Sequence, residues 1–557
     1  MKNAEKTACL DLRTVLQIGV AAWRETFFWP VSMDDYDRLF ADLQAAYKQS
    51  IASCDDPEVQ TVIVGSYWVP WEFSQVLIAL KTVQCFREAG LRPIAGSPSD
   101  LYRPLLEGNL SLSPLGMKKW RLKDARWKRW LKGHINLLLS LKYNLPAGKI
   151  PWAARPNRKR RLLALYKPAP LCEEYIASLR GWVHLRLIAT WFGQENGSPL
   201  PDALERKLDG LAEETAWRAI EIAKAHGIGV DGQIAAHLRG LAKSWFGQVA
   251  GDLSRVWDVL RREGPIDYLG VSGTNYYSRI ASLTVRRLGG SVTAFSHGAD
   301  TCRQMKDSSL SEFSACDNFV VETPGCIPLW EKVLHAYPPP LNNPVRLMAI
   351  PHERYLSVWK SYKVRPLPSR VRRVMVMGNC FQGDRYRGGK CPDLTRLDLE
   401  LRVVDCLRKA GYEVLYKRHP EGVLRGRQID FFPENVKVIN EPFEAMMDQA
   451  DAFLFLCTLT TTLGHAVCSN KPILFIHGGV EKWFAEPLER FAKRAHIVPG
   501  GFDERKRVVF DEESLLDALA RAPSEPDEEF VRSYFLPDGA HQIQGGKPAR
   551  GAFHAGR

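Results

Sequence analysis

The sequence predicts an α/β fold built from two Rossmann-like domains, each a doubly wound parallel sheet, with a cleft between them. Three observations carry this. Short apolar runs alternate with amphipathic helical segments around 61–96, again from 265 to 350, and most regularly from Val371 onward. A chain of 557 residues is too long for one ordinary core. Between the last two stretches, residues 353–370 carry Pro366 and Pro368 among basic residues and read as a linker.

The elements follow in order. In 61–96, "TVIVGS" reads as a strand, "SQVLIALKTVQCFREAG" as a helix stopped by Gly90, and "LRPIAG" as a second strand. The aromatic, proline-broken "YWVPWEF" between them reads as a loop whose aromatics and Glu72 could meet a sugar. A helical and basic insertion is expected over about 105–264, with breaks near Gly197–Pro201 and Gly227–Gly232. Then "IDYLGVSG", "SVTAFSHGAD", "NFVVE" and "RLMAIP" read as strands, the first two joined by the helix "NYYSRIASLTVRRLGG". The resulting division is an N-terminal domain at 1–352, a linker at 353–370, a C-terminal domain at 371–536 and a glycine-rich, disordered tail at 537–557.

In the C-terminal domain the expected strands are "VRRVMVMG", "YEVLYKRHP", "VKVIN", "DAFLFLC" and "KPILFI". The expected helices are "RLDLELRVVDCLRKAG", "PFEAMMDQA" and "TTLGHAVCSN". Ligands of such sheets bind outside the carboxyl ends of the strands, so the loops there matter most.

Lys417-Arg418-His419-Pro420 ends one strand. It brings positive charge, a ring that can donate to a phosphate oxygen or assist a leaving group, and a proline that fixes the loop. "CTLTTTLGHA" ends another. Thr458, Thr460, Thr461 and Thr462 add hydroxyls to a helix N-terminus, which suits a phosphate, while one of them serves as N-cap. "GNCFQGDRYRGG" follows a third strand, with Gly378 and Asn379 at its start and Asp384 in a loop facing the cleft; it is no dinucleotide fingerprint. From the first domain, "FSHGAD" contributes His297 and Asp300, and Glu312 lies further along.

Charge and cysteines bound the partners. The formal net charge is +13, which suits an anionic partner. Residues 117–132, "MKKWRLKDARWKRWLK", hold eight Lys or Arg and one acid, with Trp120, Trp127 and Leu131 on one helical face. That pattern suits an anionic membrane surface, and the bland alternative is a solvated helix packing its tryptophans. "RPNRKRR" at 155–161 is a second basic run. No nucleic-acid fold signature accompanies the charge, so nucleic acid is not an expected partner. The twelve cysteines are scattered without ligand spacing, and no apolar run nears the ~18–20 residues of a membrane span. With no signal-peptide pattern, this reads as a cytoplasmic protein, peripheral at a membrane, with reduced thiols and no metal site.

A strand ending in Arg-His-Pro, a strand followed by a Thr-rich helix start, and "KPILFI" together resemble the C-terminal half of GT-B glycosyltransferases of bacterial surface polysaccharides. That group includes sialyltransferases, β-Kdo transferases and CDP-glycerol glycerophosphotransferases. "SHG" is similar to the Gln-His-Gly of some members, with Ser296 in place of Gln. The resemblance spans roughly 265–480. It implies a CMP-activated donor, no further cofactor and no metal, and a glycan or glycolipid acceptor. It implies that His419 contacts the donor phosphate and that Thr460, Thr461 and Thr462 hold it. It also implies that Asp384 acts as nucleophile in a retaining double displacement, with His297, Asp300 or Glu312 as acid/base. The acidic Asp/Glu-Asp/Glu-Gly motif of sialyltransferases is absent in clear form, which weakens the sialyltransferase reading and leaves single displacement open; the sugar expected is an acidic ulosonic one such as Kdo. Glycerol- or ribitol-phosphate transfer, and a non-catalytic role in polysaccharide assembly or export, are the alternatives.

Overall fold

The structure is a computed structural model. It describes residues 7–97, 101–110, 138, 140–142, 162–165, 170–179, 183–188, 192, 200–262, 266–270, 275–296, 303–341, 343–350, 353–379, 381, 392–420, 429–433, 435–458, 460–521 and 523–537. The basic segments 117–132 and 155–161, the tail 538–557, and the candidate residues His297, Asp300 and Asp384 lie outside the described residues.

The first strands, β1 (Thr7–Cys9) and β2 (Arg92–Ile94), pair in parallel as a separate two-stranded sheet. Between them the chain is helical, which corrects two expectations. "TVIVGS" belongs to the helix Pro57–Gly65, and "YWVPWEF" opens the helix Trp68–Glu88. The reason lies upstream of the β-branched run. Asp56 accepts hydrogen bonds from the N–H groups of Glu58 and Val59, and Pro57 sits at the first helical position, so the helix starts before the run begins. Val59, Val62 and Ile63 then share one buried face. Pro70 lies in the first turn of the next helix, where a missing N–H costs nothing. These helices pack with Met33–Ala52, Asp202–Ala225 and Gly232–Leu260 into a helical layer.

The N-terminal sheet contains β3 (Leu162–Leu165), β4 (His184–Leu187), β5 (Asp267–Gly270), β6 (Val292–Phe295), β7 (Asn318–Val321) and β8 (Arg346–Ala349). All pairs are parallel, in the order β4-β3-β5-β6-β7-β8. Two of its strands therefore fall inside 105–264, where only a helical insertion was expected. The break expected near 227–232 separates Asp202–Ala225 from Gly232–Leu260, while residues 197–199 of the other expected break lie outside the described residues.

The C-terminal sheet runs β11-β10-β9-β12-β13-β14-β15, where β9 is Arg373–Met377, β10 Glu413–Lys417, β11 Lys437–Ile439, β12 Ala452–Phe455, β13 Ile473–His477, β14 His496–Phe502 and β15 Val508–Phe510. All its pairs are parallel except β14 with β15. Every residue of β12 is buried, as a parallel strand covered on both faces requires. The chain leaves β9 toward β10 and β11, then returns to place β12 on the other side. The strand order thus reverses between β9 and β12, the point at which doubly wound sheets bind ligands beyond their carboxyl ends.

The expected linker is itself largely helical, Glu353–Lys363. It docks on the C-terminal domain: Tyr355 lies edge-on to His465 at 5.1 Å, and the Tyr362 hydroxyl donates to Asp448 at 2.6 Å. A Cβ on Gly464 would come within 2.4 Å of the Tyr355 ring, so only glycine permits this approach. After β15 the chain crosses back. The helix Glu529–Tyr534 packs beside the first domain, where the Thr323 hydroxyl donates to the Ser533 carbonyl at 2.9 Å.

Candidate functional site

The reversal point gathers most of the described candidates. Met377 of β9 pairs with Lys417 on one side and Phe455 on the other. Gly378-Asn379, Lys417 to Pro420 and Cys457 to Thr462 therefore leave the same edge of the sheet from neighbouring strands. Glu312 is elsewhere. It lies in a π-helical turn, Ser309–Phe313, where its charge acts on the buried pair Tyr67 and Arg279. Arg279 is fully buried, and its guanidinium donates to the Val64 carbonyl at 2.7 Å and stacks on Tyr67 at 4.2 Å. Glu72 is completely buried in its helix and presents nothing to a sugar.

The cations of β10 are more committed than the sequence suggests. Lys417 is 5% exposed, and its ammonium donates to the Arg418 carbonyl at 2.6 Å. Burial lowers its pKa, against the opposing pull of Glu444 and Glu441. Arg418 donates to the Asn440 side chain at 3.1 Å and forms an ion pair with Asp430. His419 is half-buried and Pro420 exposed. These cations thus fix the loop and set a positive potential beside His419.

The threonines divide the work. Thr460 caps the helix Thr461–Val467, accepting from the Thr462 N–H at 3.4 Å, and its hydroxyl lies 2.7 Å from that of Thr462. Thr461 is exposed at the helix start. Thr458, expected to hold phosphate, is 1% exposed and belongs to the framework instead. Its N–H donates to Glu481 at 2.7 Å, and its hydroxyl donates to the other oxygen of the same carboxylate. Trp483 also donates to Glu481, at 3.1 Å.

This framework is where the two domains meet. Gln304 of the first domain donates to the Thr458 hydroxyl at 3.4 Å and bridges to Trp483 in antiparallel fashion. The Met305 N–H donates to the Lys482 carbonyl, and the Phe484 N–H to the Arg303 carbonyl. Arg303 is fully buried among Trp483, Phe530 and Phe535, with its guanidinium 4.8 Å from the Phe535 centroid. Ser296, at the end of β6, and Arg303 bracket the segment that carries His297 and Asp300.

Glu400 and Glu481 were missed by reasoning from sequence. Glu400 lies in the helix Asp393–Lys409, fully buried, and accepts from the backbone N–H of Asn379 at 2.8 Å, from its Nδ2 at 2.7 Å, and from the Tyr416 hydroxyl. Burial pushes its pKa up to about 7, against the lowering effect of these donors and of Arg396. Its signal was available: an acid at 400 falls in the stripe Leu397, Leu401 and Val404. Gly378 makes the arrangement possible, because a Cβ there would stand 2.2 Å from the Tyr416 hydroxyl oxygen. Among the described residues, no group of three His, Cys, Asp or Glu is placed to hold a metal ion. No helix among them is long and apolar enough to cross a membrane.

Two Rossmann-like sheets, a helical linker, facing strand ends and a C-terminal helix that returns to the first domain define an α/β protein of the GT-B class. Comparisons with known proteins add solved structures of slight likeness. No family model matches the sequence, and no curated protein does. The UDP-GlcNAc 2-epimerase of Methanocaldococcus jannaschii, in complex with UDP-GlcNAc and UDP, is similar at a TM-score of 0.36 and 11% identity, over 68% of this chain and 98% of that one. Arabidopsis thaliana UGT89C1 gives 0.34 and 13%, over 68% and 93%. Thermosulfurimonas dismutans KpsC, a beta Kdo 2,4 transferase, gives 0.17 and 20%, over 22% of this chain and 43% of that one.

Proposed function

We propose that the chain is a glycosyltransferase that takes its sugar from a nucleotide-activated donor bound at the carboxyl edge of β9, β10 and β12. The observation that carries this is the convergence, at one strand-order reversal, of Asn379, His419 and the Thr460–Thr462 helix start, with the first domain closing on Thr458 beside it. A phosphate there meets the hydroxyls of Thr460, Thr461 and Thr462, the positive end of the helix they open and the ring of His419, which together offset charge as the nucleotide leaves. Lys417 and Arg418 hold the His419 loop rather than the phosphate, and Thr458 holds the turn.

The donor proposed is CMP-activated, carrying Kdo or a related ulosonic acid, and the acceptor is a glycan or glycolipid of a bacterial surface. Asp384, five residues beyond Asn379, is the proposed nucleophile. Its carboxylate bonds to the anomeric carbon as the bond to CMP breaks. An acceptor hydroxyl then displaces the carboxylate and loses its proton to a base, His297 or Asp300. Glu312 leaves this scheme because it serves the Tyr67–Arg279 cluster. The basic segment 117–132 is proposed to hold the enzyme at an anionic membrane surface.

The test is transfer and donor hydrolysis with a panel of CMP- and UDP-sugars. CMP-sugar turnover that Asp384→Asn abolishes supports the proposal. Turnover of UDP-sugars alone defeats the CMP assignment, near-normal Asp384→Asn activity removes the nucleophile, and phosphorus carried into product converts the enzyme to a phosphotransferase.

A further inference from the structure

The carboxylate of Glu400 is an odd occupant of an apolar helix face. It is fully buried between the helix Asp393–Lys409 and the ends of β9 and β10, yet its hydrogen-bond donors, Asn379 and Tyr416, lie at the proposed donor edge. A carboxylate there is costly unless its lone pairs are used. Three donors use them, and two come from one residue, Asn379. The same oxygen, Oε1, accepts from both the backbone N–H and the side-chain Nδ2 of Asn379.

That double contact orients an amide. An ionised carboxylate only accepts, so the NH2 end of Asn379 must face Glu400 and the carbonyl end must turn away. Asn379 is half-buried and is the first residue past Gly378 at the reversal of strand order. Resting on the donor-site reading above, we propose that Glu400 is a positioning residue that fixes Asn379 with its carbonyl Oδ1 toward the donor, so that the site selects a hydrogen-bond donor group, a sugar hydroxyl or a base amino group, at this point.

The arrangement carries a pH dependence. A protonated Glu400 has a donor of its own and fewer acceptors, so it no longer demands one amide orientation. Burial places this change at about pH 7. The groups facing Glu400 are Tyr416 from β10, Asn379 from the β9 end and Arg396 from its own helix; Arg418 and Asp430 act on Tyr416 in turn. As pH falls through 7 the fraction with fixed Asn379 drops, and donor affinity drops about tenfold per unit below that point.

The experiment is the affinity of the intact chain for a CMP-sugar between pH 5.5 and 8.5, for wild type, Glu400→Gln and Asn379→Ala. A CMP-sugar has a phosphodiester that does not titrate here, and His419 is present in all three proteins. The expected result is about tenfold weaker binding at pH 6 than at pH 8 in wild type beyond any slope in Glu400→Gln, with Asn379→Ala weaker at pH 8 and flat like Glu400→Gln. CMP against UMP then separates the two sources: loss of CMP preference in Asn379→Ala means a base amino group, and an unchanged ratio means a sugar hydroxyl. Equal pH slopes in wild type and Glu400→Gln overturn the proposal, as does wild-type affinity in Asn379→Ala. If neither wild type nor variant binds at any pH, the donor-site reading has failed. That failure is distinguishable, because the ligand-free protein still shows a wild-type against Glu400→Gln difference in thermal stability across pH 5–7.

Discussion

Replacing Glu481 by alanine removes the one carboxylate that orders the Thr458 turn. In the wild type it accepts from the Thr458 N–H, the Thr458 hydroxyl and the Trp483 indole, and it is 8% exposed. Hydrogen bonds to a charged acceptor contribute about 1.5–3 kcal/mol each, and donors left buried without a partner cost about as much. Thr458 is 1% exposed, so both its donors count in full, while the partly buried Trp483 can turn its N–H toward water. The expected loss is therefore about 4 kcal/mol, a large share of the ~5–15 kcal/mol typical of a folded domain. Glu481→Gln keeps one acceptor but places an NH2 against donors, so it should lose about 2 kcal/mol. Urea denaturation of both variants gives the two numbers, and amide exchange at 457–463 shows whether the turn opens before the rest. Loss within about 0.5 kcal/mol for Glu481→Ala would refute the reasoning.

Three further outcomes are expected. Gly378→Ala places a methyl 2.2 Å from the Tyr416 hydroxyl and should cost about 1–3 kcal/mol by thermal melting, with Tyr416→Phe recovering part of it. Glu400 is protonated more readily folded than unfolded. Its contribution is thus full below its unfolded value near 4.5 and lost as pH rises through about 7, by about 3 kcal/mol in all, a loss absent from Glu400→Gln in pH-dependent melting. The Arg24–Asp405 ion pair between the domains has both side chains about a third exposed, so Arg24→Ala should change stability by less than about 1 kcal/mol in a denaturant titration.

Five strands of the C-terminal sheet, β9 to β13, were legible because parallel strands buried on both faces leave plain apolar runs, such as "DAFLFL" and "KPILFI"; the half-exposed, glycine-interrupted β14 and the short antiparallel β15 were not expected. The N-terminal region was misread for a local reason. Thr61–Val64 is β-branched, but Asp56 and Pro57 had already started a helix whose apolar spacing the run also satisfies. At the site, His419 and the Thr460–Thr462 turn were visible as polar residues stranded at strand ends. The commitments of Arg418 and Thr458 were not, because their partners Asp430, Glu481 and Gln304 are set by tertiary packing. The role of Glu400 was not, because its donors Asn379 and Tyr416 come from the end of β9 and from β10, 21 residues before it and 16 after it.

The most direct test of a nucleotide donor site at the β9–β12 reversal is a crystal structure with bound CMP, paired with calorimetric titration of wild type and His419→Ala. The expected result is one phosphate within hydrogen-bond distance of both His419 and the Thr460–Thr462 helix start, with binding weakened at least about tenfold, or ~1.4 kcal/mol, in the variant. A nucleotide seated elsewhere, or equal affinity in the two proteins, would contradict it.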